Sequence, residues 1–173
     1  MEPPKYPVGP MQAEENLGPA RRGELIAQIA EAPASLRKTL AGLSEEQLST
    51  KYKNWSIRQI ANHLADSHVH SYIRFKWTLT EDKPLIKAYD EGLWSELEEA
   101  KTGDMEPTLL MLEGIHRRWV RLLKSMSSDQ FERSFLHPDG RTVSLNRALC
   151  IYAWHGRHHT GQIQWIREQR NWK

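Results

Sequence analysis

The sequence predicts an all-α protein, an antiparallel four-helix bundle with a short β-hairpin before its last helix. Three observations carry the prediction. Apolar residues recur at helical spacing through several long stretches. Ser-x-x-Gln capping boxes and prolines mark where such stretches begin. Only one pair of short β-like runs flanks a turn sequence, His137-Pro138-Asp139-Gly140.

Residues 1–18 open with Pro3, Pro4, Pro7 and Pro10 and read as an extended arm, either laid over the body or disordered. Residues 19–173 read as a single domain. Pro19 starts a periodic stretch carrying Leu25, Ile26, Ile29, Leu36, Leu40 and Leu43; Pro33 inside it should kink it or split it. Ser44-Glu45-Glu46-Gln47 caps one short turn. Ser56-Ile57-Arg58-Gln59 caps a long helix to about Leu79, with Ile57, Ile60, Ala61, Leu64, Tyr72, Phe75 and Leu79 on one face. Residues 80–105 are punctuated by turns at Asp82-Lys83-Pro84 and around Gly103, with Asp90 capping a short helix through Leu93, Trp94 and Leu97. Pro107 marks the first turn of a helix whose inward face is Leu109, Leu112, Ile115, Trp119, Leu122, Leu123 and Met126. The runs 133–136 and 141–143 form the hairpin, and Ser144 caps a last helix from Leu145 to about Gln169.

Composition narrows the function. A chain of 173 residues suits one domain and can bury a full core without disulfides. The lone Cys150 forbids an internal disulfide, excludes Cys-rich metal sites and fits a reducing compartment. Lys+Arg is 24 against 22 Asp+Glu, a net charge of +2, which is no nucleic-acid footprint; Arg117, Arg118 and Arg121 read as the wet side of a helix. No apolar run spans a membrane and no signal peptide is visible, so the expected location is the cytoplasm. Seven tryptophans (Trp55, Trp77, Trp94, Trp119, Trp154, Trp165 and Trp172) read as packing or dimer surface. The eight histidines are where chemistry enters.

On the last helix the apolar stripe is Leu145, Ala148, Leu149, Tyr152, Ile163 and Ile166. His155 and His159 fall within it, one turn apart, while His158 is displaced by about 100° toward solvent or the flank. Two imidazoles at i and i+4 can share one metal ion, and in an apolar place each must satisfy its ring nitrogens. His63, His68, His70 and His116 are candidates for a third ligand. His116 faces inward and His68 lies near an apolar face. His63 lies in a polar ridge with Gln59 and Ser67 that would suit supporting hydrogen bonds or a wet helix edge. Periodicity ranks His116 level with His63.

Two segments resemble a known family. Trp55-Ser56-Ile57-Arg58-Gln59-Ile60-Ala61-Asn62-His63-Leu64-Ala65-Asp66-Ser67-His68 is similar to the first metal-ligand helix of the DinB/YfiT superfamily. Leu149-Cys150-Ile151-Tyr152-Ala153-Trp154-His155-Gly156-Arg157-His158-His159 resembles its second metal motif. Tyr6-Pro7-Val8-Gly9, Tyr72-Ile73-Arg74-Phe75-Lys76, Leu79-Thr80-Glu81-Asp82, His116-Arg117-Arg118-Trp119-Val120 and Phe131-Glu132-Arg133 match the YfiT branch. The resemblance implies a DinB-like bundle that forms homodimers and holds one divalent metal, zinc or nickel, per subunit. It implies His63, His155 and His159 as ligands, which leaves His116 as an inward neighbour able to support the site. Members of this branch are labelled metal-dependent hydrolases, and related members transfer a low-molecular-weight thiol such as bacillithiol.

Three neutral imidazoles leave the charge of a divalent ion uncompensated and a coordination position open, the pattern of a catalytic site. Such an ion lowers the pKa of water to about 7. It would equally hold a bound thiol as thiolate. The readings are therefore a hydrolase acting on a small molecule, a thiol S-transferase, and a metal- or ligand-binding stress module without turnover. No HExxH supplies a built-in base; Asp66, Asp90 and Glu81 are the nearby carboxylates, and Tyr152 is a candidate pocket residue. Cys150 points away from His155 and His159 and is expected to be neither ligand nor nucleophile.

Overall fold

The computed structural model describes residues 2–172. Four long helices make the bundle: α1 (Pro19–Leu40), α3 (Ile57–Thr80), α6 (Met105–Ser125) and α8 (Leu145–Gln169). The short helix α2 (Glu45–Leu48) links the first two. The pair α4 (Glu91–Ser95) and α5 (Glu98–Thr102) lies between α3 and α6. After α6 come α7 (Ser128–Glu132) and a hairpin of β1 (Ser134–Leu136) and β2 (Thr142–Ser144), paired antiparallel with Phe135 opposite Val143.

The capping boxes at Ser44 and Ser56 form as expected, with each Gln side chain reaching back to the cap backbone. Two short helices go beyond the sequence reading. Ser127 and Gln130 close a third capping box that starts α7, the same Ser-x-x-Gln signal as at Ser44 and Ser56. Helix α5 occupies the stretch expected to be a turn before Gly103.

Each long helix packs against two others. Residue pairings fix the directions. Arg22 meets Asn146 and Thr39 meets Gln164, so α1 and α8 run parallel. Asn62 meets Thr108 and His68 meets His116, so α3 and α6 also run parallel. Arg37 on Glu106 sets α1 against α6 in opposite directions, and Arg74 on Tyr152 does the same for α3 and α8. Antiparallel and parallel neighbours thus alternate around the bundle. The long 81–104 connection is what lets α3 and α6 run the same way, because the chain must return along the bundle before α6 begins.

Pro33 does not split α1, which continues through it as one helix. A mid-helix proline leaves the carbonyl four residues earlier without its N–H partner. Here that carbonyl belongs to Ile29, and His116 Nδ1–H donates to it at 2.6 Å. The cost of the missing helical bond is thereby offset from another helix.

The N-terminal segment lies against α8. Trp154 Nε1–H donates to Gly9 O at 2.9 Å, and Tyr6 packs beside Trp154 and His158. Gly161 permits this approach, since a Cβ there would meet the Val8 side chain at 2.8 Å. His158 is therefore buried rather than turned to solvent. It does sit off the core stripe, but the arm covers that flank, a long-range contact that helical periodicity cannot register.

The apolar core divides in two. One cluster includes Ile29, Phe75, Trp119, Leu145 and Leu149; the other includes Leu36, Ile57, Leu64, Leu112 and Ile163. Histidines from α3, α6 and α8 lie between these apolar groups. No helix among the described residues is long and apolar enough to cross a membrane.

Candidate metal centre

Helices α3 and α8 are antiparallel neighbours, and this brings His63 of α3 opposite His155 and His159 of α8. The Nε2 atom of His155 lies 3.2 Å from Nε2 of His63 and 3.2 Å from Nε2 of His159. One nitrogen from each ring falls within 4.8 Å of the others. His63 and His159 are buried, and His155 is partly exposed.

Each ring is held from behind. His159 Nδ1–H donates to Gln162 Oε1 at 2.8 Å, and the Gln162 amide reaches His158 Nε2 at 3.2 Å. Trp55 packs on His63 with ring centroids 4.7 Å apart. His155 Nδ1 contacts His68 Nε2 at 3.2 Å, and His68 Nδ1 contacts His116 Nε2 at 2.7 Å. Burial dominates the electrostatics. It lowers His63 to about 4 and His159 to about 3, and pushes His155 well below the ordinary histidine range, helped by the neighbouring imidazoles. His68 is pushed well down by burial and His116 to about 4. All five rings are neutral at pH 7, the form in which imidazole binds a metal.

The structure brings together the set His63, His155 and His159 and leaves His68, His70 and His116 outside it. His116 faces inward as expected but touches none of the three; it bonds His68 and the Ile29 carbonyl. His68, a candidate third ligand in the sequence, is not in the set but contacts His155 from behind. The ridge Gln59–His63–Ser67 does not work as a set of supports for His63. Gln59 caps α3 and donates to Ser95 O at 2.8 Å, tying down the α4–α5 segment. His70 stacks on Tyr89, with centroids 4.2 Å apart.

A cleft of about 650 Å³ lies beside the site, and none of the three histidines lines it. Its wall includes Trp55 and Gln162, which touch His63 and His159, together with Tyr52, Lys53, Tyr89 and Asp90. Asp90 caps α4 by accepting from Leu93 N–H. Glu81 ends α3, where its carbonyl accepts from Arg133. Asp66, one turn after His63 on α3 and beside Tyr89, differs from both. Burial, with Glu99 nearby, pushes its carboxyl up to about 6. Tyr152 accepts from Arg74 at 2.8 Å and packs beside His68 and His155 as part of the core. Cys150 is buried, its thiol pushed up by burial and aimed at Glu14 O, which removes it from the site's chemistry.

The bundle recurs in a protein of known structure. The profile of the DinB superfamily matches residues 28–163. The chain belongs to the DinB superfamily. Bacillus subtilis YfiT, whose name gives it provisionally as a metal-dependent hydrolase, is 39% identical over 170 residues, covering 96% of each chain. A relative from Geobacillus thermodenitrificans with the same provisional name is 40% identical over 176 residues, covering 99% of this chain and 98% of its own. A solved structure of B. subtilis YfiT, described as a probable metal-dependent hydrolase with an unusual four-helix bundle topology, superposes with a TM-score of 0.94. That match covers 97% of this chain and 98% of the other.

Proposed function

We propose that His63, His155 and His159 hold one divalent metal ion and that the protein is a metal-dependent hydrolase of a small molecule. The observation that carries this reading is the convergence of three neutral imidazole nitrogens, with His155 Nε2 at 3.2 Å from both partners. Two nitrogens bound to one tetrahedral ion at about 2.0–2.1 Å stand about 3.3–3.4 Å apart, so both separations from His155 Nε2 suit a shared ion. Imidazole donors suit zinc and nickel. A divalent ion there would supply Lewis acidity to a water, leaving a coordination position for it because only three protein ligands converge.

The chain's own residues supply the rest. Trp55 and Gln162 orient His63 and His159 and form the inner wall of the cleft. Tyr89 and Tyr52 give that wall apolar faces, and Lys53 and Asp90 give it charge, a lining suited to a small polar molecule. Asp66, held near 6, is ionised at neutral pH yet basic enough to take a proton. The names of the related proteins support the same reading.

The test is a panel of ester, amide and phosphoester substrates offered to the zinc- and nickel-loaded protein, with and without an added low-molecular-weight thiol. Hydrolysis without the thiol is expected. Conjugation that requires the thiol, with no hydrolysis of any panel member, would replace the hydrolase by a thiol transferase. Tight metal binding with neither reaction would favour a binding module.

A further inference from the structure

The histidines that do not converge on the centre form a line of their own. It runs from His155 on α8 to His68 on α3, to His116 on α6, and ends at the Ile29 carbonyl on α1, touching all four long helices. We propose that His68 and His116 are positioning residues which, anchored on the carbonyl that Pro33 frees, hold His155 with its proton on Nδ1 and its Nε2 lone pair turned to the metal centre.

The direction of the line follows from its end. A carbonyl can only accept, so His116 must carry a proton on Nδ1 to make its 2.6 Å bond to Ile29 O. Both inner rings are essentially without solvent, His68 at 0% and His116 at 1% exposure, and are neutral there. A neutral His116 with its proton on Nδ1 offers only a lone pair on Nε2. His68 must then donate from Nδ1 across 2.7 Å, which leaves a lone pair on its own Nε2. His155 must in turn donate from Nδ1 to that nitrogen across 3.2 Å. The last free lone pair, on His155 Nε2, is the one facing His63 and His159.

The origin of the anchor is local. In an unbroken helix the Ile29 carbonyl would be taken by the N–H of residue 33, but proline has none. Packing supports the same arrangement. The planes of the His68 and His116 rings lie 13° apart, and Trp119 stands edge-on to both. Removing the partner that fixes a ligand histidine's tautomer typically costs 10–100-fold in metal affinity.

This inference rests on the metal reading above, and the test separates the two. Long-range ¹H–¹⁵N correlation spectra of the full-length, metal-free protein report which ring nitrogen of each histidine carries the proton. Protons on Nδ1 of His155, His68 and His116 are expected. A proton on Nε2 of any of them overturns the line, whatever the metal does. Zinc affinity by chelator competition supplies the second readout. His68→Phe is expected to weaken zinc by roughly 10–100-fold. His68→Gln, whose amide keeps an acceptor for His155 and a donor for His116, is expected to recover to within a few-fold of wild type. His68→Phe binding zinc as tightly as wild type, or His68→Gln binding no better than His68→Phe, overturns the proposal. If the wild-type protein itself takes no zinc, the metal reading fails while the spectra still judge the line. Pro33→Ala returns an N–H to the Ile29 carbonyl, so the His116 Nδ1 proton should move upfield; an unmoved signal overturns the part given to Pro33.

Discussion

The imidazole layer has two halves built from one residue type. In the closed half, His68 and His116 have both ring nitrogens engaged, and the pair stacks in near-complete burial. In the open half, His63, His155 and His159 direct nitrogens at one another beside a cleft. The difference is one of satisfaction. A buried imidazole whose two nitrogens have protein partners is complete as it stands. Buried imidazoles whose lone pairs converge call for something placed between them. Burial and the identity of the residue do not distinguish the halves; the partners of the nitrogens do.

The sharpest way to break the comparison is to truncate the open half. His155→Ala or His159→Ala should remove nearly all bound metal, measured as zinc per chain after dialysis. Stoichiometric metal in both variants would show that the open half is not the site. Next in size, Asp66→Asn should lower hydrolysis by about 100-fold or more, within the range for loss of a general base. The wild-type rate should fall below pH 6, following the Asp66 carboxyl, and Asp66→Asn should lose that limb.

Stability separates the halves with a smaller but opposite signature. In metal-free protein, His116→Leu strands the Ile29 carbonyl and the His68 donor, at about 1–3 kcal/mol for each buried group left unpaired. His63→Leu removes no anchored bond of this kind and should leave the melting temperature unchanged or raised. Equal losses in both variants would erase the distinction. Acid should act on the whole layer. His63 and His116 titrate near 4 when folded and near 6.5 when unfolded, so the unfolded chain binds more protons in between. Their contribution is complete above 6.5 and declines as pH falls through 4. His159 extends the loss to about 3. Asp66, raised from 3.8 to about 6, works in the opposite sense and offsets part of it. Denaturation midpoints of the metal-free protein should fall steadily from pH 6.5 to 4.

Much of this was legible beforehand, and the gaps have physical reasons. The helices, their caps and the hairpin follow from local spacing, which is why α3 and α8 begin where Ser56 and Ser144 place them. The His155/His159 pair is a matter of one helix's periodicity. His63 was not separable from His116 on that basis, because both face inward and only the pairing of α3 with α8 brings one of them to the pair. The family resemblance made that choice. His68 was a candidate ligand there, and its contacts to α6 and α8 were not legible for the same reason. Pro33 read as a kink or a break in α1, and the sequence could not show His116 arriving to take the carbonyl that the proline frees. His158 lies on the flank as expected, but its burial was not legible because the covering Tyr6 and Gly9 lie far off in the chain.

The central claim is that one ion sits where the three lone pairs meet. Diffraction from zinc-loaded crystals on both sides of the zinc absorption edge tests it directly. The account predicts a single anomalous peak per chain within bonding distance of Nε2 of His63, His155 and His159, with Nδ1 of His155 still turned to His68. A peak elsewhere, or one bound through Nδ1 of any of the three, would contradict it.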